Sequence, residues 1–298
     1  SVKGVKMVLA RFDDNKEIVK QQIKDIANSG QKKISLMLWY TDAPGLPEVY
    51  MHTINIANGL TTRHQKNIKD VLTELKKYNF NTITLRFAPQ GNSDPAIWKK
   101  WEEDNYARQW RVIQRTIDLF HAELSGYNNI KKIFDLGAEG GGLDAGERTA
   151  YNRRLWRNYV TVYGLANTVG FSVAYYPSRL KKLVEDYDAV GLGRPDAYAM
   201  DIYDSRSVDG DFYRLAKELK ELGEERKKVI LQETYYNNGN VAIAVKQARQ
   251  EFGLNIVSVN QWPLEQFATT KHFSVLDPAP FEAYLKTHAK PDLSARVD

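Results

Sequence analysis

A chain of 298 residues with 43% hydrophobic and 27% charged residues carries enough apolar content to bury a sizeable core, which excludes the disordered class. Its net charge of +5 comes from 42 Lys and Arg scattered among 37 Asp and Glu, so no basic stripe for nucleic acid stands out, although an anionic ligand is compatible with the balance. With no cysteine there are no disulfides, thiolate metal sites or cysteine nucleophiles, and no apolar run is long enough to span a bilayer.

In chain order, KMVLARFD, Lys6 to Asp13, is expected as the first strand, and a D-x-x-E capping box at Asp14 and Glu17 opens a helix to about Asn28. KKISLMLWY, Lys32 to Tyr40, forms the second strand, followed by an irregular stretch from Thr41 to Leu60 that holds Tyr50 and His52. A helix from Thr62 to Lys77 leads to NTITLRFAP, the third strand, and a polar loop with Trp98 and Trp101 leads to a long amphipathic helix ending near Leu124. The fourth strand is KKIFDLGAE, Lys131 to Glu139. Helix Glu147 to Thr168 then leads to GFSVAYYP, and helix Ser178 to Tyr187 to DAYAMDIYD. Helix Asp211 to Leu222 leads to KKVILQE, ending at Glu233; helix Val241 to Phe252 leads to NIVSVNQWP, and a last helix lies near Phe281 to His288.

Eight strands in strict alternation with about eight helices imply parallel pairing through helical crossovers. The expected fold class is therefore α/β, a single (β/α)8 TIM barrel over residues 1–288 with 289–298 as a tail. A doubly wound open sheet is the alternative, but no G-x-G-x-x-G follows the first strand and there is no P-loop.

Side chains alternate across a strand, so parity sorts each strand into a helix-facing and an axis-facing set. Ile83, Leu85 and Phe87 face helices, leaving Thr82, Thr84 and Arg86 inward; Phe134, Leu136 and Ala138 face out, leaving Asp135, Gly137 and Glu139 inward. The same rule turns Arg11, Asp13, Trp39, Tyr176, Asp201, Tyr203, Glu233 and Trp262 toward the axis. Polar and aromatic residues thus collect at the C-terminal rim, where barrels of this kind build active sites. A buried ion-pair network of Arg and Asp is the purely structural account of the same residues.

With Glu139 ending the fourth strand and Glu233 the seventh, in ILQETYYNN, the sequence resembles the clan A glycoside hydrolases, retaining (β/α)8 enzymes. That resemblance implies an acid/base at Glu139, a nucleophile at Glu233, a Tyr near the nucleophile at Tyr203 and an aromatic residue after the eighth strand at Trp262. One position departs from the pattern: Ala138 stands where the clan usually carries Asn, or in some families His, to contact the sugar 2-hydroxyl, a contact that Asn237 or Asn260 could replace. The chemistry calls for one carboxyl protonated, to donate to the leaving oxygen, and a second ionised, to attack or to activate water. Tyr203 and Arg86 would orient Glu233, while Trp39 and Trp262 would form platforms for the apolar face of a sugar ring. Tyr40, Tyr176, Tyr235 and Tyr236 add aromatic surface at the mouth, and Arg11 and Arg86 are placed to read an acidic sugar. The glycines of GAEGGG would leave space and backbone freedom there for a bulky ligand.

The five histidines show neither H-x-H nor H-E-x-x-H spacing, and no G-x-S-x-G occurs, so neither a histidine metal site nor a serine hydrolase is expected, and no cofactor is called for. The strand lysines lie at N-terminal ends, away from any Schiff-base position. The expectation is a monomeric, secreted or periplasmic, retaining and endo-acting hydrolase of an oligo- or polysaccharide; the alternatives are a barrel that binds or assembles glycan without cutting it and a lyase or isomerase using the same carboxylates. The start at Ser1 leaves room for a removed signal peptide.

Overall fold

The computed structural model describes residues 9–28, 30–46, 53–127, 129–204, 210–234 and 239–260. Parallel strands alternate with helices in the order α1 (Lys16–Asn28), β1 (Lys33–Thr41), β2 (Thr53–Asn55), α2 (Thr62–Leu75), β3 (Thr82–Pro89) and α3 (Glu103–Glu123). They continue as β4 (Lys131–Asp135), α4 (Arg148–Tyr163), β5 (Thr168–Gly170), β6 (Val173–Ala174), α5 (Arg179–Val190) and β7 (Ala197–Asp201). The last described elements are α6 (Asp211–Glu221), β8 (Lys228–Glu233), α7 (Gly239–Gln250) and β9 (Asn255–Val259).

The strands hydrogen-bond in the orders β2-β1-β3-β4-β5 and β6-β7-β8-β9, all parallel. These two ladders share one stretch of chain, because residues 168–174 pair with β4 through β5 and with β7 through β6. The surface curls far enough for Lys33 Nζ on β1 to donate to the Val257 carbonyl on β9 at 3.3 Å. The molecule is a (β/α)8 barrel with its helices outside.

Parity explains the layers. Ile34, Leu36, Leu38, Ile83, Leu85, Phe87 and Phe134 are buried against the helices, while Ile133, Val169, Ala197, Ala199 and Ile230 form a separate apolar plug inside the barrel. Beneath the plug, Lys33, Lys131 and Lys228 line a cavity of about 210 Å³, and above it comes Arg86. Helix α2 starts where Thr61 Oγ1 accepts from His64 N at 3.2 Å and His64 Nδ1 accepts from Thr61 N at 3.2 Å, a capping box closed by histidine.

Four expectations are corrected. The first strand is not extended over its described part: Leu9–Asp14 forms a 3₁₀ turn that buries Leu9, Ala10 and Phe12. Helix α2 holds the turn in place, with Asn67 Nδ2 donating to the Ala10 carbonyl at 2.9 Å and Arg63 reaching both Asp13 and Asp14. Asp14 spends its carboxylate on Arg11 and Arg63, and the expected capping box at α1 does not form. The loop after β1 contains the short strand β2, and Asn55 pins the neighbouring turn by bonding the Ala43 and Leu46 carbonyls at 2.8 and 2.7 Å. The fourth strand stops at Asp135, four residues before Glu139. The last helix, near Phe281 to His288, and the tail lie outside the described residues.

Gly170 marks the break between β5 and β6, with φ +66° and an added Cβ only 2.1 Å from Tyr187 Oη. Tyr187 cannot yield, because its hydroxyl accepts from Phe171 N at 3.0 Å inside a packed core. Gly170→Ala is therefore expected to lower unfolding free energy by about 2–5 kcal/mol, from left-handed strain plus overpacking, seen as a lower urea midpoint at unchanged m-value.

Candidate active site

Arg86 stands on β3 with its side chain 1% exposed and spans the lumen. Its Nε donates to Asp135 Oδ2 on β4 at 3.1 Å, its Nη2 to Asp201 Oδ2 on β7 at 2.8 Å and to Ser172 Oγ at 3.1 Å, and its Nη1 to Glu233 Oε1 on β8 at 2.5 Å. Burial works against its charge, and Asp201, Glu233 and Asp135 more than offset that, holding the guanidinium firmly protonated. The other oxygen of Glu233 accepts from Tyr203 Oη at 2.5 Å, and burial followed by the Glu233 charge raises that phenol. Glu233 thus has both oxygens fixed by donors while remaining at the edge of the mouth.

Glu139 arrives by a turn. Its φ of +57° is left-handed, a conformation that costs a non-glycine residue about 1–2 kcal/mol and needs support from its surroundings. Support comes from three sides: Glu139 N donates to Ser172 Oγ at 2.9 Å, Arg179 Nη2 donates to the Glu139 and Gly141 carbonyls at 2.7 and 3.0 Å, and Gly141 N donates to the Ser172 carbonyl at 2.8 Å. The glycines that follow serve this packing rather than leaving ligand space. Gly140, Gly141 and Gly142 are buried, and an added Cβ would lie 1.6 Å from Arg148 Nη2 at Gly140 and 2.0 Å from the Arg179 carbonyl oxygen at Gly142. Because the chain has left the strand, Ala138 does not face the helices as parity suggests; it packs with Met37, Trp39 and Ala88 on the inner side.

The carboxyls of Glu139, Asp201 and Glu233 bring oxygens within 4.8 Å of one another, the one such acidic group among the described residues. Arg86 already supplies the cation there, taking one oxygen each from Asp201 and Glu233, so a metal ion has little to add. Glu139 reaches solvent, yet the packed rim strips enough water to raise its carboxyl above the ordinary value, and the Glu233 charge adds to this against an Asp201 hydrogen bond, Arg86 and Arg179.

Of the remaining sequence candidates, Trp39 is 9% exposed in the wall beside Ala138, and Tyr176 stands 64% exposed on the rim. Asp201 is sealed beneath Glu139. Arg11 and Asp13 are not brought to the mouth: Arg11 pairs with Asp14 at 2.7 Å and Asp13 with Arg63 at 2.8 Å, in a network of half-exposed charges on the outer turn. Tyr40 points outward, fully buried, bonded to Gln109 and Tyr151. Trp98 and Trp101 pack edge to face at 5.6 Å, and Trp110 lies against the outer core. Tyr235, Tyr236, Asn237, Trp262, Tyr50 and His52 lie outside the described residues. Asp135 and Ser172 were missing from the candidates although parity turns both inward; Arg179 carried no signal, because its partners are main-chain carbonyls. A cavity of about 800 Å³ opens beyond the ends of β1 and β3, among Asp42, Asn92, Ile97, Trp98 and Arg108, and none of the three clustered acids lines it.

No known family pattern and no curated protein matches the sequence. The fold is that of the barrel glycoside hydrolases. A GH113 β-1,4-mannanase superposes with a TM-score of 0.57 at 10% identity, over 91% of this chain and 94% of its own. The catalytic domain of the major endoglucanase of Xanthomonas campestris pv. campestris gives 0.51 at 10% identity over 90% and 88%, and an endo-β1,6-glucanase 0.51 at 13% over 86% and 65%.

A carboxyl raised on folding is ionised at a cost that appears as pH climbs from its unfolded value through its folded one. Glu139→Gln removes the cost. The variant is expected to melt above the wild type at pH 7, and the difference should vanish on acidification below pH 4.5, the ordinary value for this group, as followed by thermal unfolding across pH.

Proposed function

We propose that the protein hydrolyses the O-glycosidic bonds of an oligo- or polysaccharide by a retaining mechanism, with Glu139 as general acid and base and Glu233 as nucleophile. The observation that carries this reading is that one oxygen of each carboxyl comes within 4.8 Å of the other across the mouth, an approach that suits the roughly 5–5.5 Å carboxyl spacing of a double displacement better than the about 6.5–9.5 Å that leaves room for an inverting water. Their surroundings differ in the required sense. Glu233 receives donors on both oxygens, which suits a carboxylate poised to attack, whereas burial and the Glu233 charge raise Glu139 above the ordinary carboxyl value, the direction a proton donor needs.

In the first step Glu233 bonds to the anomeric carbon as the glycosidic C–O bond breaks, and the proton of Glu139 goes to the leaving oxygen. In the second, Glu139 takes a proton from water, whose oxygen displaces Glu233 from the sugar. Exposed Tyr176 and the wall of Trp39 offer flat apolar surface to the ring, and the cavity among Asn92, Ile97 and Trp98 gives space for further units of a polymer. β-Linked mannans and glucans, the substrates named for the structural neighbours, are the first to assay. Action on a polymer favours an exported monomer cutting within the chain. The second reading, a glycan-binding barrel without turnover, is favoured by Ala138, whose methyl side chain offers a sugar hydroxyl no hydrogen-bonding group of its own.

Glu233→Gln is expected to lower kcat on the cleaved glycan by about 10³-fold or more. Glu139→Gln should lose about 10²- to 10⁴-fold on that glycan but far less on an aryl glycoside whose leaving group needs no proton. Unchanged turnover in both variants, measured as new reducing ends, would overturn the assignment; tight binding with no turnover by the wild type would establish the second reading.

A further inference from the structure

Around Arg86 the polar atoms pair almost completely, and the exception is informative. Asp135 accepts on one oxygen from Arg86 and on the other from Ser172 N at 3.0 Å and Gly137 N at 3.2 Å. Glu233 accepts from Arg86 and Tyr203. Asp201 accepts from Arg86 on Oδ2, but its Oδ1 has no protein donor, and the side chain is 0% exposed, out of reach of bulk solvent. A buried carboxylate oxygen in that position bears its full desolvation cost, whereas a protonated one becomes a donor itself. The acceptor is at hand, since the Glu139 carboxyl closes the same cluster within 4.8 Å.

We infer that Asp201 is held as a neutral carboxylic acid whose Oδ1–H donates to Glu139, making Asp201 a positioning residue for that carboxylate. The charge balance agrees. The groups facing Asp201 are Arg86 from β3, Asp135 from β4, Glu139 from the turn beyond it, Arg179 from α5, Tyr203 after β7 and Glu233 from β8. Two guanidiniums, Arg86 and Arg179, face four carboxyls, and Arg179 gives its donors to main-chain carbonyls, so four anions here would leave charge uncompensated around the buried Asp135 and Asp201. Burial displaces the Asp201 carboxyl well above the ordinary range against the pull of Arg86, and the charges of Glu233 and Glu139 push it further.

The inference rests on the hydrolase reading for its purpose and on the geometry alone for its existence. Once Glu139 has given its proton to the leaving oxygen it is an anion, and the Asp201 hydroxyl steadies that anion until water returns a proton to Glu139. Asp201 keeps its own proton throughout, so the two steps stay balanced.

Two substitutions in the whole protein separate a neutral donor from an ionised counter-charge. Asn at this position keeps an acceptor for Arg86 and a donor for Glu139, whereas Ala keeps neither. Asp201→Ala is expected to lower kcat on the cleaved glycan by roughly 10- to 100-fold, and Asp201→Asn to recover about tenfold of what Ala loses. An Asn variant as impaired as the Ala variant overturns the proposal. Infrared difference spectra of the protein with ¹³C-labelled aspartate supply a readout independent of activity and of how the Ala variant folds. A protonated aspartate carbonyl band at neutral pH, present in the wild type and in Glu139→Gln and missing from Asp201→Asn, is expected; its absence from the wild type refutes the inference. If the band is present and no glycan is cleaved, the hydrolase reading fails and the neutral acid stands.

Discussion

The guanidinium of Arg86, inserted across the lumen, is the interaction on which the upper half of this barrel depends. It joins β3 to β4, β7 and β8 at once and touches the segment between β5 and β6 through Ser172. Such a network is seldom chosen for stability, because several kcal/mol of hydration are lost for each buried ion and the mutual attraction roughly recovers them. What it provides is geometry. Four strand positions and the Ser172 segment cannot shift independently while they are joined through one rigid planar cation.

The geometry places two kinds of carboxyl near each other. Glu233 is tied from below and Glu139 is delivered from above, on a turn whose left-handed backbone is held by main-chain and Arg179 contacts. One has both oxygens tethered by donors and the other is a group whose water has been partly removed. The difference follows from where the chain leaves its strand: β8 runs to Glu233 itself, whereas β4 stops at Asp135 and the chain turns before Glu139. The packed glycines make that turn possible by letting Arg148 and the start of α5 approach the backbone.

Much of this was legible in the residues. The alternation of strand and helix, the inward set Arg86, Asp201, Tyr203 and Glu233, and the outward set that packs on the helices all follow from a period of two and from the burial of apolar side chains. Three of the errors have one cause. Leu9–Asp14, Ala138 and the glycines after Glu139 lie where the chain stops being a regular strand, and alternation carries no information there. Arg11 and Asp13 were assigned inward on that basis, and Arg63 on α2 takes Asp13 instead.

By itself, the sequence determined the barrel and the inward acids Asp201 and Glu233 at the ends of β7 and β8, because periodic burial is a local property written into neighbouring residues. Only the tertiary structure decided which groups meet: that one arginine would be shared by three carboxyl groups, that Arg179 and Ser172 would hold a strained turn, and that one oxygen of Asp201 would be left without a protein donor. Those partners come from strands and helices far apart in the chain, and hydrogen-bond satisfaction is settled by where the backbones converge, which no local pattern encodes.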